Sequence, residues 1–129
     1  MSLRHDITKD RYLRPTTLDA ALGALGQAAH TVVAGGSDFY PARVGRHIDE
    51  SILDITAVAE LQGVTDANDH IRIGALTSWS DIIEADLPTY FRGLQSAARD
   101  VGGRQVQNAA TVCGNICNAS PAADGVPPL

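Results

Sequence analysis

The chain has 129 residues, 44% of them hydrophobic, with 15 acidic against 10 basic side chains and a formal net charge of −5. That length and composition suffice to bury a core as one or two small units. The acidic balance, with Lys9 as the single lysine, argues against the basic stripe by which nucleic acid is usually met, and no apolar run is long enough to span a bilayer. The opening Met1-Ser2-Leu3-Arg4-His5-Asp6 lacks the basic region and apolar run of a secretion signal, so a cytoplasmic protein is expected. Cys113 and Cys117 are too few for a disulfide framework and do not match a zinc pattern, so free thiols and no metal are expected.

In chain order, Tyr12 to Arg14 reads as extended before Pro15. Thr16 or Thr17 can cap a helix that carries Leu18, Ala21, Leu22, Leu25 and Ala29 at helical spacing and ends near Gly26 to His30. Thr31 to Ala34 is a short buried strand, Gly35-Gly36 a turn, and Ser37 the cap of a short helix through Pro41 to Val44. Ser51 to Ile55 is a second strand and Ala57 to Leu61 a helical turn. Gly63-Val64-Thr65 and His70 to Gly74 flank Asp66 to Asp69 as a hairpin. Ser78 can cap a helix with Ile82 and Ile83 inward. A helix from about Thr89 places Leu94, Ala97, Ala98 and Val101 on one face and stops at Gly102-Gly103. Trp79 and Phe91 read as core, and the scattered His5, His30, His47 and His70 as surface or loop residues.

Two clusters carry the chemistry. The run from Thr111 to Asp124 is so dense in small and polar residues that a ligand-wrapping loop is expected there rather than a helix or a core strand. Asn115, Ser120 and Asp124 supply short donors and acceptors. The second cluster, Val33 to Asp38, gives the order strand, glycine turn, helix, in which backbone N–H groups can hold a phosphate without lysine. Read alone, Gly35-Gly36-Ser37-Asp38 is a turn with a helix cap before it is a phosphate loop, and Asp38 a capping carboxylate. No side chain stands out as an acid or base, and no Ser-His-Asp grouping can be assembled.

The chain resembles the FAD-binding (medium) subunits or domains of molybdenum hydroxylases, the xanthine dehydrogenase and carbon monoxide dehydrogenase family. The resemblance spans nearly the whole chain. It rests on Ala34-Gly35-Gly36-Ser37-Asp38, Leu53-Asp54-Ile55, Ile73-Gly74-Ala75-Leu76-Thr77, Ala97-Ala98-Arg99 with Val101-Gly102, and Asn108-Ala109-Ala110-Thr111 through Pro121-Ala122-Ala123-Asp124. It implies an α+β fold, a two-lobed FAD-binding domain of the molybdopterin dehydrogenase (PCMH-like) type, with FAD extended between the lobes. Residues 1–57 would form the first lobe and residues 58–129 the beginning of the second, which is expected to be incomplete because the family's subunits run to more than twice this length. By position, Ala34, Gly35, Gly36, Ser37 and Asp38 would form one pyrophosphate loop. Thr111, Gly114 and Asn115 would form the other, and Asp124 would bind a ribitol or ribose hydroxyl.

The resemblance further implies an oxidoreductase subunit that passes electrons from [2Fe-2S] clusters on a small iron–sulfur subunit to NAD or another small-molecule acceptor. Substrate would be hydroxylated at a molybdenum cofactor on a molybdopterin-binding large subunit. The family commonly has Thr-Ile-Gly-Gly-Asn where this chain has Thr111-Val112-Cys113-Gly114-Asn115, so a positive φ at Cys113 would strain the loop. Two other classes compete: a stand-alone flavin reductase of the same fold group, and a truncated, non-catalytic interaction module. An unfinished second lobe predicts that the helix bearing Leu94, Ala97, Ala98 and Val101 is left partly uncovered, whereas the first lobe has most of its elements.

Overall fold

The computed structural model describes residues 11–120, 122 and 125–129. Three short strands form a parallel sheet in the order β1 (Tyr12–Leu13), β3 (Ile52–Asp54), β2 (Thr31–Val33). Tyr12 and Thr31 both pair with Ile52, and Leu13 and Val32 with Leu53. Parallel strands need a crossover, and helix α1 (Leu18–Gln27) supplies it between β1 and β2. Thr17 caps that helix, its hydroxyl accepting from the Ala20 N–H at 3.2 Å. All three residues of the central strand are buried, which is why this segment reads as an unbroken apolar run up to Asp54.

Asp54 ties the sheet together at the carboxyl end of β3. Its carboxylate accepts from the Thr56 N–H at 2.9 Å, the Thr56 hydroxyl at 2.6 Å and the Tyr12 hydroxyl, and Arg14 Nε lies 3.6 Å away. Burial alone pushes this carboxyl up, but the hydrogen bonds from Thr56 and Tyr12, with the Arg14 charge, outweigh it and hold the group below the usual carboxylate range. The same hydrogen bond to Asp54 raises the Tyr12 phenol.

The rest of the described chain is a hairpin and four helices. The hairpin pairs β4 (Val64–Asp66) with β5 (Ile71–Ile73), Val64 opposite Ile73, and turns through Asn68 at φ 71°. Helix α2 (Trp79–Glu84) opens on a capping box: the Ser78 hydroxyl accepts from the Asp81 N–H, and the Asp81 carboxylate from the Ser78 N–H. Then come α3 (Arg92–Asp100), α4 (Arg104–Ala109) and α5 (Val112–Asn118). Trp79, Ile82, Leu94, Ala98, Val101, Ala110 and Val112 pack as one buried cluster, with Phe91, Ile73 and Val64 against it. The Gln95 amide reaches from α3 to the carbonyls of Ile82 and Ala85, satisfying the end of α2.

Three expectations are corrected here. The segment after Thr111 is a helix through Asn118, not a wrapping loop. Its glycine and asparagines are poor helix formers, but the Thr111 hydroxyl caps it, Val112 is anchored in the core, and Ala119 closes it in the left-handed region at φ 50°. The α3 stripe is not left uncovered, since Leu94 is 1% exposed and Ala98 fully buried. Exposed apolar side chains are spread elsewhere, among them Leu22 and Leu25 on α1, Val44 and Tyr90. The helix expected from Ser37 is a tight turn followed by a single 3₁₀ turn, Pro41–Arg43.

Candidate functional site

Strands β2 and β3 run out, at their carboxyl ends, into the segments Ala34–Asp38 and Ile55–Thr56, and two clefts open at that edge of the parallel sheet. Such an edge is where open α/β sheets receive ligands. The larger cleft is about 640 Å³ in volume, within the range of small-molecule sites. One wall is Ala34, Gly35, Gly36, Ser37 and Asp38, continued by Phe39 and Arg43. The other is Thr111 with the face of α5 that carries Cys113, Gly114, Asn115, Cys117 and Asn118. The structure therefore brings both sequence clusters to one cavity. Pro121, Ala123 and Asp124 lie outside the described residues, so the Asp124 assignment has no geometry to set beside it.

The first wall is a row of free donors. Among the described residues, the backbone N–H groups of Gly35, Gly36, Ser37 and Asp38 have no acceptor, whereas the carbonyls of Gly36 and Asp38 accept from Tyr40 and Ala42 at 3.2 Å each. Gly36 sits at φ +70°, where a Cβ would also lie 2.6 Å from the Tyr40 ring. Gly35 serves a different purpose. A Cβ there would run into the Ala109 carbonyl, so its lack of a side chain lets β2's loop touch the end of α4 and sets the two walls side by side.

Arg43 is the cation on this wall. It spends its charge locally: Nη2 is 2.8 Å from Glu50 Oε1, and the guanidinium lies 3.8 Å from the Phe39 ring centroid. The Arg43 hydrogen bond, with one from Thr31, holds the Glu50 carboxyl below its usual range. An anion in this cleft is thus met by backbone N–H groups more than by side-chain charge.

On the second wall the Gly114 N–H donates to the Thr111 hydroxyl at 3.0 Å and the Asn115 N–H to the Thr111 carbonyl at 3.0 Å, so neither amide is free for a ligand. What α5 offers instead is side chains. The Thr111 hydroxyl has its own hydrogen to donate, and among the described residues Asn115 Oδ1 is buried without a hydrogen-bond partner, as is Nε1 of Trp79, another residue lining the cleft. Cys113 lies inside α5 and is not among the non-glycine residues at positive φ, so the strain expected of it is absent. Its thiol is pushed up by burial and then by neighbouring Cys117.

A second cleft of about 420 Å³ shares Ala34, Gly35 and Thr111 with the first and is lined besides by Ala109, Leu76 and polar residues such as Thr56, Gln62, Ser78, Asp81 and Asn108. Thr56, Gln62, Ser78, Asp81 and Asn108, with Arg43, Cys117 and Asn118, were not read from sequence as residues of the site. For α5 the signal was available in the spacing 113, 114, 117, 118, which is one helical face once the segment is allowed to be a helix. No group of three or more metal-ligating side chains comes together among the described residues, and no described helix is long and apolar enough to cross a membrane.

A glycine loop whose four N–H groups meet no acceptor among the described residues, at the carboxyl edge of a parallel sheet and opposite a capped helix carrying the unpartnered Asn115 Oδ1, is an arrangement suited to a phosphate-bearing ligand. The sequence belongs to the family described as the FAD binding domain in molybdopterin dehydrogenase, whose profile matches residues 6–129. It is 36% identical over 122 residues to the xanthine dehydrogenase FAD-binding subunit of Escherichia coli O157:H7, covering 91% of this chain and 41% of that protein. It is 35% identical over 116 residues to the glyceraldehyde dehydrogenase medium chain of Sulfolobus acidocaldarius, covering 88% and 41%. Among solved structures it is similar to carbon monoxide dehydrogenase from Hydrogenophaga pseudoflava, in a form lacking the Mo-pyranopterin moiety of its cofactor. That match has a TM-score of 0.78 and 28% identity, and covers 89% of this chain and 42% of that one. The chain therefore spans about two fifths of the length of the relatives it matches. The α+β, FAD-binding fold expected from the sequence is the fold found.

The donor set fits FAD. Four free N–H groups suit a pyrophosphate, and a buried acceptor beside a hydroxyl suits the alcohol groups of a ribityl or ribose chain.

Proposed function

We propose that this chain is the FAD-holding portion of an electron-transfer subunit in a molybdenum hydroxylase. The observation that carries the reading is the row of four acceptor-less N–H groups, Gly35 to Asp38, sharing one cleft with Thr111 and α5. Gly35 and Gly36 leave the donors uncovered. Thr111, common to both clefts, and Asn115 take hydroxyl or phosphate oxygens opposite them, and Asp38 and Asp124 accept from ribose or ribityl hydroxyls. We divide the protein into a first lobe over residues 1–57 and a second beginning at 58, with the cofactor between.

FAD supplies the redox chemistry when bound; the chain supplies position and the electrostatic surroundings. In the complex we propose, a small iron–sulfur subunit delivers electrons, NAD or another small molecule takes them away, and a large subunit binds the molybdenum cofactor and the substrate. The named relatives, dehydrogenase subunits called FAD-binding subunit or medium chain, support this arrangement. A cytoplasmic location agrees with the two unpaired thiols.

The test is a flavin titration of the complete protein with FAD and with FMN. FAD binds at least about tenfold more tightly, since FMN lacks the pyrophosphate that the loop is built to hold, a difference of about 1.4 kcal/mol. Equal affinity contradicts the reading.

A further inference from the structure

Helix α5 turns Cys113, Gly114, Cys117 and Asn118 toward the large cleft, so two thiols stand one helical turn apart on the wall opposite the Gly35–Asp38 loop. Neither is in a disulfide; Cys117 is exposed and Cys113 half-buried. Cofactor binding as read above calls on neither sulfur. We propose that Cys117 is a covalent modification site on the cofactor cleft, open to low-molecular-weight disulfides, and that its adduct and FAD exclude one another. The inference rests on the FAD reading of the cleft.

The reaction is thiol–disulfide exchange. The Cys117 thiol loses its proton to solvent and the sulfur attacks one sulfur of the reagent R–S–S–R. One S–S bond breaks as the Cys117–S–S–R bond forms, and the released R–S⁻ leaves or takes up a proton, so the disulfide supplies the oxidising equivalents. Exposure decides which cysteine reacts first. Cys113 is half-buried, and its thiol is held protonated by that burial and by Cys117, so it lags. The cleft, at about 640 Å³, is of a size for one cofactor-scale ligand, and a group anchored on its wall takes up space the cofactor needs.

The experiment uses the complete protein and dithiobis(nitrobenzoate). FAD is titrated first by flavin fluorescence; absence of binding overturns the cleft reading itself and this inference with it. With binding in hand, labelling is followed with and without FAD at about ten times its dissociation constant, where about one site in eleven stays free, so modification of Cys117 slows about tenfold. Peptide mass identifies the labelled cysteine, and Cys117→Ser removes the fast phase. Since the two exclude one another, the preformed adduct leaves the protein without bound FAD at that concentration, and reduction restores binding. Equal labelling rates with and without FAD, or an adduct that binds FAD as the untreated protein does, overturns the proposal.

Discussion

The parallel sheet over residues 12–54 and the helical cluster around Trp79 are stabilised by different means. The helical cluster has a contiguous apolar core: Trp79, Ile82, Leu94 and Ala98 are all essentially inaccessible to water. The sheet has three strands of two or three residues, a polar knot at Asp54, and an α1 crossover whose Leu22 and Leu25 stay in solvent. Hydrophobic burial anchors both regions, but in the sheet it is confined to a few side chains such as Val33, Ile52 and Leu53, and a hydrogen-bonded carboxylate adds to it there. The cleft proposed for the cofactor lies along the seam between them, beside the place where Gly35 meets Ala109.

The largest effect expected is in the helical core. Leu94→Ala costs about 3 kcal/mol in chemical denaturation, as a buried leucine deletion with its cavity does. The matched change Leu22→Ala on α1 stays within about 0.5 kcal/mol, as an exposed substitution does. Comparable losses at the two positions break the comparison.

Next is the seam. Gly35→Ala sets a methyl against the Ala109 carbonyl, which cannot swing aside as a side chain would. The variant loses about 2 kcal/mol of stability and also its flavin, because separating the walls spoils both. Gly36→Val is a poorer test of the cofactor, since φ +70° and the Tyr40 ring already oppose a β-branched side chain without flavin. Retention of full flavin affinity in Gly35→Ala removes the wall contact from the account.

The sheet should answer to pH where the core does not. Asp54 titrates below its ordinary range when folded, so the stability it contributes is present above the unfolded carboxylate value of about 4 and is lost as pH falls through the lower folded value. Tyr12, raised by its bond to Asp54, works in the opposite sense: its contribution is present below about 10 and is lost in alkali. Denaturation midpoints measured from neutral pH downward should fall more steeply for the parent than for Asp54→Asn. Parallel curves contradict the role given to the carboxylate.

The smallest expected effect is at the cap. Thr111→Val removes the acceptor for the Gly114 N–H, costs about 1 kcal/mol and weakens FAD, while Thr111→Ser restores most of both. Thermal melts and flavin titration read the two quantities separately.

Much of the sheet and its caps could be read from the residues: Thr31 to Val33 and Ile52 to Asp54 as short strands, though of the first only Val33 is buried, the Val64–Ile73 hairpin, and the Thr17 and Ser78 caps. The α3 stripe was legible as well. Helices α4 and α5 were not, for one physical reason. Periodicity reveals a helix only where several apolar side chains share a face, and these two carry only Val106, Val112 and Ile116, of which Val112 alone is buried. Their form comes from tertiary ties instead: the Val112 N–H to the Thr77 carbonyl, the Trp79 N–H to the Ala110 carbonyl, and the Gln107 amide back to Arg99. For the site, the two glycine clusters were visible, but that one of their glycines joins the walls rather than meeting the ligand was not.

The central claim is that the free N–H groups of Gly35, Gly36, Ser37 and Asp38 hold the cofactor's pyrophosphate opposite Thr111 and α5. Amide NMR shifts of the protein titrated with FAD test it most directly. The account predicts that the four amides move together with those of Thr111 and α5, that ADP moves the same four, and that FMN leaves them nearly in place. FAD binding with the Gly35 to Asp38 amides unmoved would contradict it.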